Sequence, residues 1–558
     1  MQLHQYWERM RLSRRRALGA ASATAGAAAL AACGPKGQDQ SSGKQTGAGQ
    51  GKPQSGGVIT AVQLDEPISY DPSTKLAASA RGTTPTSDAL LVFKSGPLVK
   101  YGDLQVDAAL AEKWETPDPQ TYVFHLRNGV KWQNVPPVNG RAFDSADVKW
   151  TYEYMSRTGS MTKLTPAPAA SMFAGVDRIE TPDPSTVTVH FNQPFTPFLG
   201  YSASQWVPIL AHEIFDADGD FKLRSIGTGP FYFDTAASQK GTKAAFKKNP
   251  TYWRQGRPYV DELDVLVLAD QPTINSAFQT GRVDILDYSG LDGRTAEAMQ
   301  KAVPAATVNQ YTDSNNAYYI YFNVTKPPMN DDRIRKAISL GLDRDETIKT
   351  LFDGKGEWSL AGAAAGMFAQ DEIKSILKYD PAQAKQLVTA AGFPNGVDIE
   401  FIWNATYGDT FSIKAQLIQS QLKKVGINLA LKPLPGNEDA LRRRSGDYQF
   451  NITPRGQGVA ADIDSYVYGM FHPKSADNYG RIDDPQLTPL LEQQRRELDP
   501  SKRREIVRQA ARRINEVPWA LTLFYGPGYV LSQQRLRNYA PNVAFSYGQV
   551  VWDSWVEK

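Results

Sequence analysis

One thiol is the first candidate for chemistry, because Cys33 is the only cysteine among the 558 residues. It follows Leu30-Ala31-Ala32 at the end of an alanine-rich stretch and precedes Gly34-Pro35. With no second cysteine in the sequence, Cys33 has no disulfide partner within the chain. A buried cysteine or a disulfide partner is the alternative, but these surroundings favour a thiol that is modified.

Residues 1–32 have the layout of an export signal, with Arg14, Arg15 and Arg16 ahead of an apolar stretch and small residues at its end. The 16 residues from Ala17 to Ala32 are mostly alanine and glycine, whereas a membrane-spanning helix needs roughly 20 strongly apolar residues. The stretch is therefore not expected to remain as a membrane span.

Two short motifs refine this interpretation. Leu30-Ala31-Ala32-Cys33 resembles a lipobox, which implies cleavage before Cys33, lipidation of its sulfur and anchoring at the outer face of the cell membrane, as a periplasmic or cell-surface lipoprotein. Ser13 to Leu18 is similar to a twin-arginine signal, although Ala17 stands where that pattern favours Phe. The export route stays open between the twin-arginine and the general pathway.

The residue types that carry catalysis form no catalytic pattern. There is no H-E-x-x-H motif, no paired metal-ligand spacing and no G-x-S-x-G elbow. A lone His472 is weak evidence for a metal. Asp462 and Asp464 either begin a helix or serve in a cleft. We therefore expect no catalytic residues, no metal site, no cofactor and no enzyme activity. The five histidines are His4, His125, His190, His212 and His472.

A glycine-rich stretch, Gly227-Thr228-Gly229-Pro230-Phe231, invites interpretation as a phosphate-binding loop. It lacks a third glycine and the following Lys-Ser/Thr pair that such loops need. A tight turn is the favoured interpretation.

The charge balance excludes a nucleic-acid partner. Residues 33–558 carry 57 Lys and Arg against 58 Asp and Glu, because five basic residues and one acidic residue of the totals of 62 and 59 lie in residues 1–32. No basic footprint remains. Residues 33–56 are mainly Gly, Ser and Gln, a composition typical of a flexible tether rather than a packed segment.

The predicted secondary structure changes along the chain from strands among turns to alternating strands and helices. Val58–Val62, Tyr122–Leu126 and Thr186–Phe191 predict strands among turns. After about residue 260 the pattern becomes α/β. Val265–Leu268 predicts a strand and is followed by a helical stretch that ends at Gly281.

A strand, helix and strand then occur in succession. Ile399–Trp403 and Ile427–Leu431 flank a helical stretch from Thr410 to Lys424, which predicts a parallel βαβ unit. Ligands of parallel sheets bind beyond the carboxyl ends of the strands. Trp403 and Asn404 occupy that position.

The chain resembles the solute-binding proteins of ABC importers for oligopeptides, dipeptides and nickel, often called family 5. Ten short motifs in the family's order carry the resemblance, which spans nearly all of residues 57–558. They are Leu110–Trp114, Tyr122–Lys131, Asp144–Lys149, Ile226–Phe231, Lys248–Trp253, Gly281–Ile285, Tyr321–Asn323, Arg333–Ile338, Tyr379–Pro381 and Ala390–Gly396.

The resemblance implies an α/β, bilobal type II periplasmic-binding-protein fold with an extra subdomain in the first lobe. We expect a signal peptide at 1–32, a tether at 33–56, lobe I at 57–312, lobe II at 313–525, and a return to lobe I at 526–558. The two crossings near Asn315–Tyr319 and Tyr525–Gly528 would form the hinge.

The sequence leaves the ligand class open between peptide and non-peptide solutes. Peptide-binding members hold the ammonium of the ligand with an aspartate, and Val459 stands at that position here. Arg455 and Gln457 can instead donate to carboxylate, phosphate, hydroxyl or carbonyl groups; the alternative for Arg455 is a salt bridge with Asp462 or Asp464. The predicted ligand-binding residues are Tyr70, Trp206, Trp403, Asn404, Arg455, Gln457, Asp464 and Trp552.

The expected function is a monomeric, lipid-anchored substrate-binding component of an ABC importer. Its partners would be a peptide-like or other polar small solute and the permease subunits that receive it. The alternatives are a receptor for an oligosaccharide, opine or other non-peptide solute, an exported hydrolase, and a surface protein whose open groove binds a macromolecule.

Overall fold

The computed structural model describes residues 51–64, 66, 69–74, 82–99, 104–165, 167–288, 291–313, 317–405, 409–455, 462–541 and 551–558. The predicted signal peptide, Cys33, Gln457 and Val459 lie outside these residues. The strands are β1 Val58–Gln63, β2 Leu91–Phe93, β3 Val106–Ala108, β4 Ala111–Asp118, β5 Thr121–Leu126, β6 Val176–Asp183, β7 Thr186–Phe191, β8 Phe231–Phe233, β9 Lys243–Lys248, β10 Glu262–Val267, β11 Ile285–Leu286, β12 Thr307–Asp313, β13 Ala317–Phe322, β14 Val397–Asn404, β15 Ile427–Leu434, β16 Phe450–Arg455, β17 Ala520–Thr522, β18 Gly526–Ser532, β19 Leu536–Arg537 and β20 Trp555–Val556.

The α-helices of the described residues concentrate in the later part of the chain. They span Ser145–Ser156, Phe198–Ser202, His212–Asp218, Gln271–Gln279, Gly293–Ala302, Asp332–Gly341, Arg344–Phe352, Gln370–Leu377, Pro381–Ala390, Asp409–Lys423, Gly436–Ser445, Asp464–Phe471, Thr488–Arg496 and Pro500–Glu516.

The first lobe is built on a sheet in the order β1-β10-β9-β8, with β1 and β10 parallel. Its apolar residues alternate along β1 and β10, and Ile59, Ala61, Leu263 and Val265 are fully or almost fully buried. β18 returns from the end of the chain and pairs between β11 and β12. The strands predicted at Val58–Val62 and Val265–Leu268 are present.

A second, antiparallel sheet in the order β4-β5-β7-β6 forms the extra subdomain of the first lobe. The helix Ser145–Ser156 begins with a capping box, in which Asp144 accepts from the Ala146 amide and Asp147 accepts from the Asp144 amide. Phe198 packs edge-on against Tyr152 at a ring separation of 5.9 Å. Closely packed aromatic rings thus form much of the core of this subdomain.

The Gly227–Gly229 segment, for which the sequence favoured a tight turn, is a close passage of two backbones. The Gly229 amide donates to the Thr86 carbonyl oxygen at 2.8 Å. A Cβ on Gly229 would lie 2.5 Å from the Ser87 nitrogen, and one on Gly227 would lie 2.3 Å from the Thr86 oxygen. Only glycine fits at either position, because backbone atoms cannot move aside.

The second lobe contains a five-stranded sheet in the order β15-β14-β16-β13-β17. β14 pairs in parallel with β15 across the helix Asp409–Lys423, which confirms the predicted βαβ unit. A large hydrophobic core packs this sheet against the surrounding helices. Within this core Phe401 and Phe450 are fully buried, and their ring centres lie 4.6 Å apart.

In the described ranges, the strand pairing shows two crossings of the chain between the lobes. β12 pairs with β18 in the first lobe, whereas β13 pairs with β16 and β17 in the second. The chain therefore passes between lobes from Asp313 to Ala317 and again from Thr522 to Gly526. Two adjacent strand connections are the arrangement expected of a hinge.

Candidate functional site

Three of the predicted residues have backbone positions at the same edge of the second-lobe sheet, where its parallel strands end. Trp403 and Asn404 end β14, and Arg455 ends the neighbouring β16, which pairs in parallel with β14. Trp403 is 3% exposed, and its ring centre lies 5.5 Å from that of Phe401. Because parallel strands end at the same edge, this edge is the candidate site on the second lobe.

Three predicted aromatic residues belong to the first lobe. Tyr70 is half-buried, and its amide donates to the Phe221 carbonyl oxygen at 2.9 Å. Burial and the charge of Glu66 raise the pKa of Tyr70 above its ordinary value. Trp552 is buried, and its indole nitrogen donates to the Asp553 carboxylate at 3.2 Å.

The indole nitrogens of Trp206 and Trp403 differ from that of Trp552, which donates to a carboxylate. Both are buried, and neither has a hydrogen-bond partner among the residues that the structure describes. A buried donor without an acceptor costs about 1 to 3 kcal/mol, so such groups are rare unless they serve a further contact. Each tryptophan therefore retains an unused donor alongside its ring.

Asp464 is fully buried at the start of the helix Asp464–Phe471. The Arg495 guanidinium donates to both of its oxygens, from Nε to Oδ1 and from Nη2 to Oδ2, each at 2.7 Å. Gln494 donates to Oδ1 at 2.5 Å. Burial alone would raise the pKa of a carboxyl group, but the charge and hydrogen bonds of Arg495 hold the pKa of Asp464 below its ordinary value.

The same carboxylate connects the two lobes. The Tyr201 hydroxyl, in the first-lobe subdomain, donates to Asp464 Oδ2 at 2.8 Å. The Thr196 amide donates to the Arg495 carbonyl oxygen at 2.9 Å, and the Thr196 hydroxyl donates to the Glu497 carbonyl oxygen at 3.0 Å. We call these five residues the interlobe contact. It joins the two lobes by three hydrogen bonds.

A second buried ion pair, between Arg503 and Asp462, lies next to the interlobe contact. Arg503 Nη1 donates to Asp462 Oδ2 at 2.8 Å, and Arg503 Nη2 also donates to Gln494 Oε1 at 2.9 Å. Gln494 thereby links the two ion pairs. Asp462 also accepts from the Asp464 amide at 2.8 Å. Asp462 therefore binds a backbone amide at the start of this helix, whereas the side chain of Asp464 binds Arg495.

His472 and the residues around Arg455 are the remaining candidates from the sequence. His472 is 1% exposed, and its Nε2 lies 3.3 Å from a Glu492 oxygen. Among the described residues, no group of three His, Cys, Asp or Glu side chains could hold a metal. The Arg455 side chain, Gln457 and Val459 lie outside the part of the chain that the structure describes.

Sequence reasoning missed Tyr201, Arg495 and Gln494. Arg495 stands in a polar stretch, Glu492-Gln493-Gln494-Arg495-Arg496, which predicts a solvated helix face. The apolar residues Leu490 and Leu491 mark the buried side of this helix, but they do not reveal that Gln494 and Arg495 share it. That depends on their hydrogen bonds to Asp464, which lies 30 and 31 residues earlier in the chain.

The family model of the bacterial extracellular solute-binding proteins, family 5 Middle, matches residues 105–478. The dipeptide-binding protein of Escherichia coli K12 is 25% identical over 450 residues, which cover 77% of this chain and 82% of that protein.

Solved structures show the same fold over most of the chain. The periplasmic binding protein DppA from Helicobacter pylori, in complex with the peptide STSA, has a TM-score of 0.77 and 23% identity and covers 91% of this chain and 99% of its own. AgaA from A.tumefacien R10, in complex with agropinic acid, has a TM-score of 0.77 and 23% identity. The match covers 90% of this chain and 99% of AgaA. One fold thus carries solutes of different chemistry.

Proposed function

Because the chain belongs to the bacterial extracellular solute-binding proteins of family 5, we propose that it captures a peptide-like or other small polar solute between its two lobes. It then delivers the solute to the permease subunits of an ABC importer. The family match over residues 105–478 is the observation that carries this proposal. The proposal assigns no catalytic step to the protein.

The two-lobed structure supports a mechanism of capture by closure. Two connections allow the lobes to pivot, and a solute that contacts both lobes favours the closed state by its differential affinity. The candidate residues are distributed accordingly, with Tyr70, Trp206 and Trp552 on the first lobe and Trp403 and Asn404 on the second. A micromolar dissociation constant corresponds to about −8 kcal/mol, which a few polar contacts and aromatic burial can supply.

The solute class divides into two candidates. The dipeptide-binding relative favours a peptide. Val459, at the position where peptide-binding members hold an ammonium, favours a non-peptide solute such as an opine or an oligosaccharide. An ammonium buried without a carboxylate partner would be costly.

Thermal-shift measurement against separate pools of dipeptides, opines, oligosaccharides and metal chelates tests the proposal. We expect one class to raise the melting temperature, because a ligand that binds only the folded state stabilises it in proportion to its affinity. The proposal fails if no pool does so with a well-folded sample.

Localisation forms a separate part of the proposal. We infer that Cys33 is lipidated and anchors the protein at the outer face of the cell membrane, where it acts as a monomer. Among the described residues, no helix has the length and apolar character to cross a membrane. Multiple acyl chains would provide the anchor, since one chain alone binds a membrane only marginally.

Substituting Cys33→Ser is expected to abolish acylation, because the sulfur is the acceptor atom. Metabolic labelling with palmitate measures this directly: the wild-type protein should carry label and the variant none. Ser42→Ala, nine residues further along the predicted tether, is the matched control and should label normally. Label retained by Cys33→Ser would disprove the anchor.

A further inference from the structure

A buried lysine interrupts the apolar face of the helix Asp409–Lys423. Phe411, Ala415, Ile418 and Leu422 form its buried face. Lys414 lies among them and is 1% exposed. Lysine is almost never fully buried unless it is paired, so this position calls for a partner.

Within the part of the chain that the structure describes, no group forms a hydrogen bond with the Lys414 ammonium. Its Nζ is buried. It lies 3.9 Å from the centre of the Tyr318 ring and 4.9 Å from that of Phe411. These aromatic faces attract a cation, but they do not replace the hydrogen bonds that an ammonium loses on leaving water.

The neighbours of Lys414 place it in the second lobe, beside the hinge. Tyr318 is the second residue of β13, directly after the first crossing, and its ring lies 5.3 Å from that of Phe524, within the second crossing. Asp292 of the first lobe acts on Lys414 electrostatically. The Asp292 carboxylate itself accepts from the Thr295 amide at 2.8 Å.

The charge balance at this point is incomplete. Burial, opposed only in part by the charge of Asp292, lowers the pKa of Lys414 to about 7. An uncompensated buried cation is destabilising, and residues that reduce stability in this way are often retained for function. A carboxylate from outside the protein would supply the missing acceptor.

We propose that Lys414 binds a carboxylate of the solute at the floor of the cleft, beside the hinge. This inference rests on the proposed function and adds the solute's chemistry to it: the transported solute is an acid. The ammonium is sealed from water in this conformation, so the carboxylate reaches it while the lobes are apart. Peptides and opines both offer this group, and an experiment can separate them.

Two consequences follow from the chemistry. An acid should bind at least tenfold more tightly than the corresponding amide, because a charge-assisted hydrogen bond is roughly twice as strong as a neutral one. Binding at pH 8 should also take up protons, because a bound carboxylate raises the pKa of Lys414 and restores its charge. Calorimetry in phosphate and Tris buffers measures that uptake.

The test compares Lys414→Met with Lys423→Met, a matched change at an exposed position on the same helix. The probes are Met-Leu and its C-terminal amide, agropinic acid and its amide, and maltotriose as a neutral solute. We expect wild type and Lys423→Met to prefer the acid of one pair. Lys414→Met should lose that preference and the proton uptake.

A folding measurement accompanies the binding test. Lys414→Met is expected to fold and to melt at least about 2 °C higher than wild type at pH 6, because it removes a buried charge. This gap should narrow as the pH rises from about 7 towards 10. In that range the unfolded wild-type chain holds a proton that the folded protein has released, so wild-type stability rises with pH.

The outcomes are distinct. Equal binding of acid and amide by wild type, binding of maltotriose alone, or an acid preference retained by Lys414→Met would overturn this inference and leave the proposed function standing. If neither these probes nor the solute pools stabilise wild type, the proposed function and this inference fall together.

Discussion

Substituting Arg495→Met is expected to lower the free energy of unfolding of the protein by about 3 to 5 kcal/mol. The reason is that Asp464 is fully buried and receives both guanidinium hydrogen bonds from Arg495. Removing the arginine leaves the buried carboxylate with hydrogen bonds from Tyr201 and Gln494 and with the charge of Arg503, which makes no hydrogen bond to it. Chemical denaturation of the purified variants measures the loss.

Arg496→Met is the matched control for this prediction. Arg496 neighbours Arg495 on the same helix, but its side chain is 48% exposed and lies 3.7 Å from Glu492. An exposed pair of this kind contributes roughly 0 to 1 kcal/mol. A similar effect of both substitutions would contradict the assigned role of Arg495.

The pH dependence of the Arg495→Met deficit provides a further check. In wild type the pKa of Asp464 lies below its ordinary value, so its contribution is present at neutral pH and is lost only as the pH falls through that low value. Without Arg495, burial raises the pKa of Asp464. The deficit should therefore be smaller at pH 5 than at pH 7.5.

Substituting Tyr201→Phe is expected to open the lobes and to weaken solute binding about tenfold. The hydroxyl contributes a buried hydrogen bond to a charged group, worth about 1.5 kcal/mol or more. Because this bond joins the lobes, its loss reduces the population of the closed state, and the apparent affinity falls with that population. Small-angle scattering should show a larger radius of gyration without solute.

Tyr152→Phe separates the loss of closure from the loss of a buried hydroxyl. Tyr152 is buried in the same subdomain, but its hydroxyl donates to Ser202 at 3.4 Å, within the first lobe. We expect this variant to keep the scattering profile and affinity of wild type. An unchanged radius of gyration in Tyr201→Phe would show that the interlobe contact does not govern closure.

Local patterns in the sequence predicted much of the scaffold. Asp380 and Pro381 are typical of the first residues of a helix, and the helix Pro381–Ala390 begins there, with Asp380 accepting from the Gln383 amide at 2.9 Å. The predicted strands at Tyr122–Leu126 and Thr186–Phe191 are the paired β5 and β7. Such elements depend on caps and on alternation between neighbouring residues, which a sequence displays directly.

The sequence also determined the family, because ten short motifs occur in a fixed order along the chain. It placed Trp403 and Asn404 at the carboxyl end of a parallel strand from the strand, helix, strand pattern alone. That pattern is local in the chain, and the handedness of the crossover leaves few alternatives.

Only the tertiary structure decided the role of individual charged residues. The sequence offered Asp464 to a solute, whereas the structure pairs it with Arg495, 31 residues later, and Tyr201, 263 residues earlier. Lys414 likewise looks like any lysine on an amphipathic helix until Tyr318 and Phe411 enclose it. The consequences of a charge depend on its burial and on partners brought together by folding, and neither property is local in sequence.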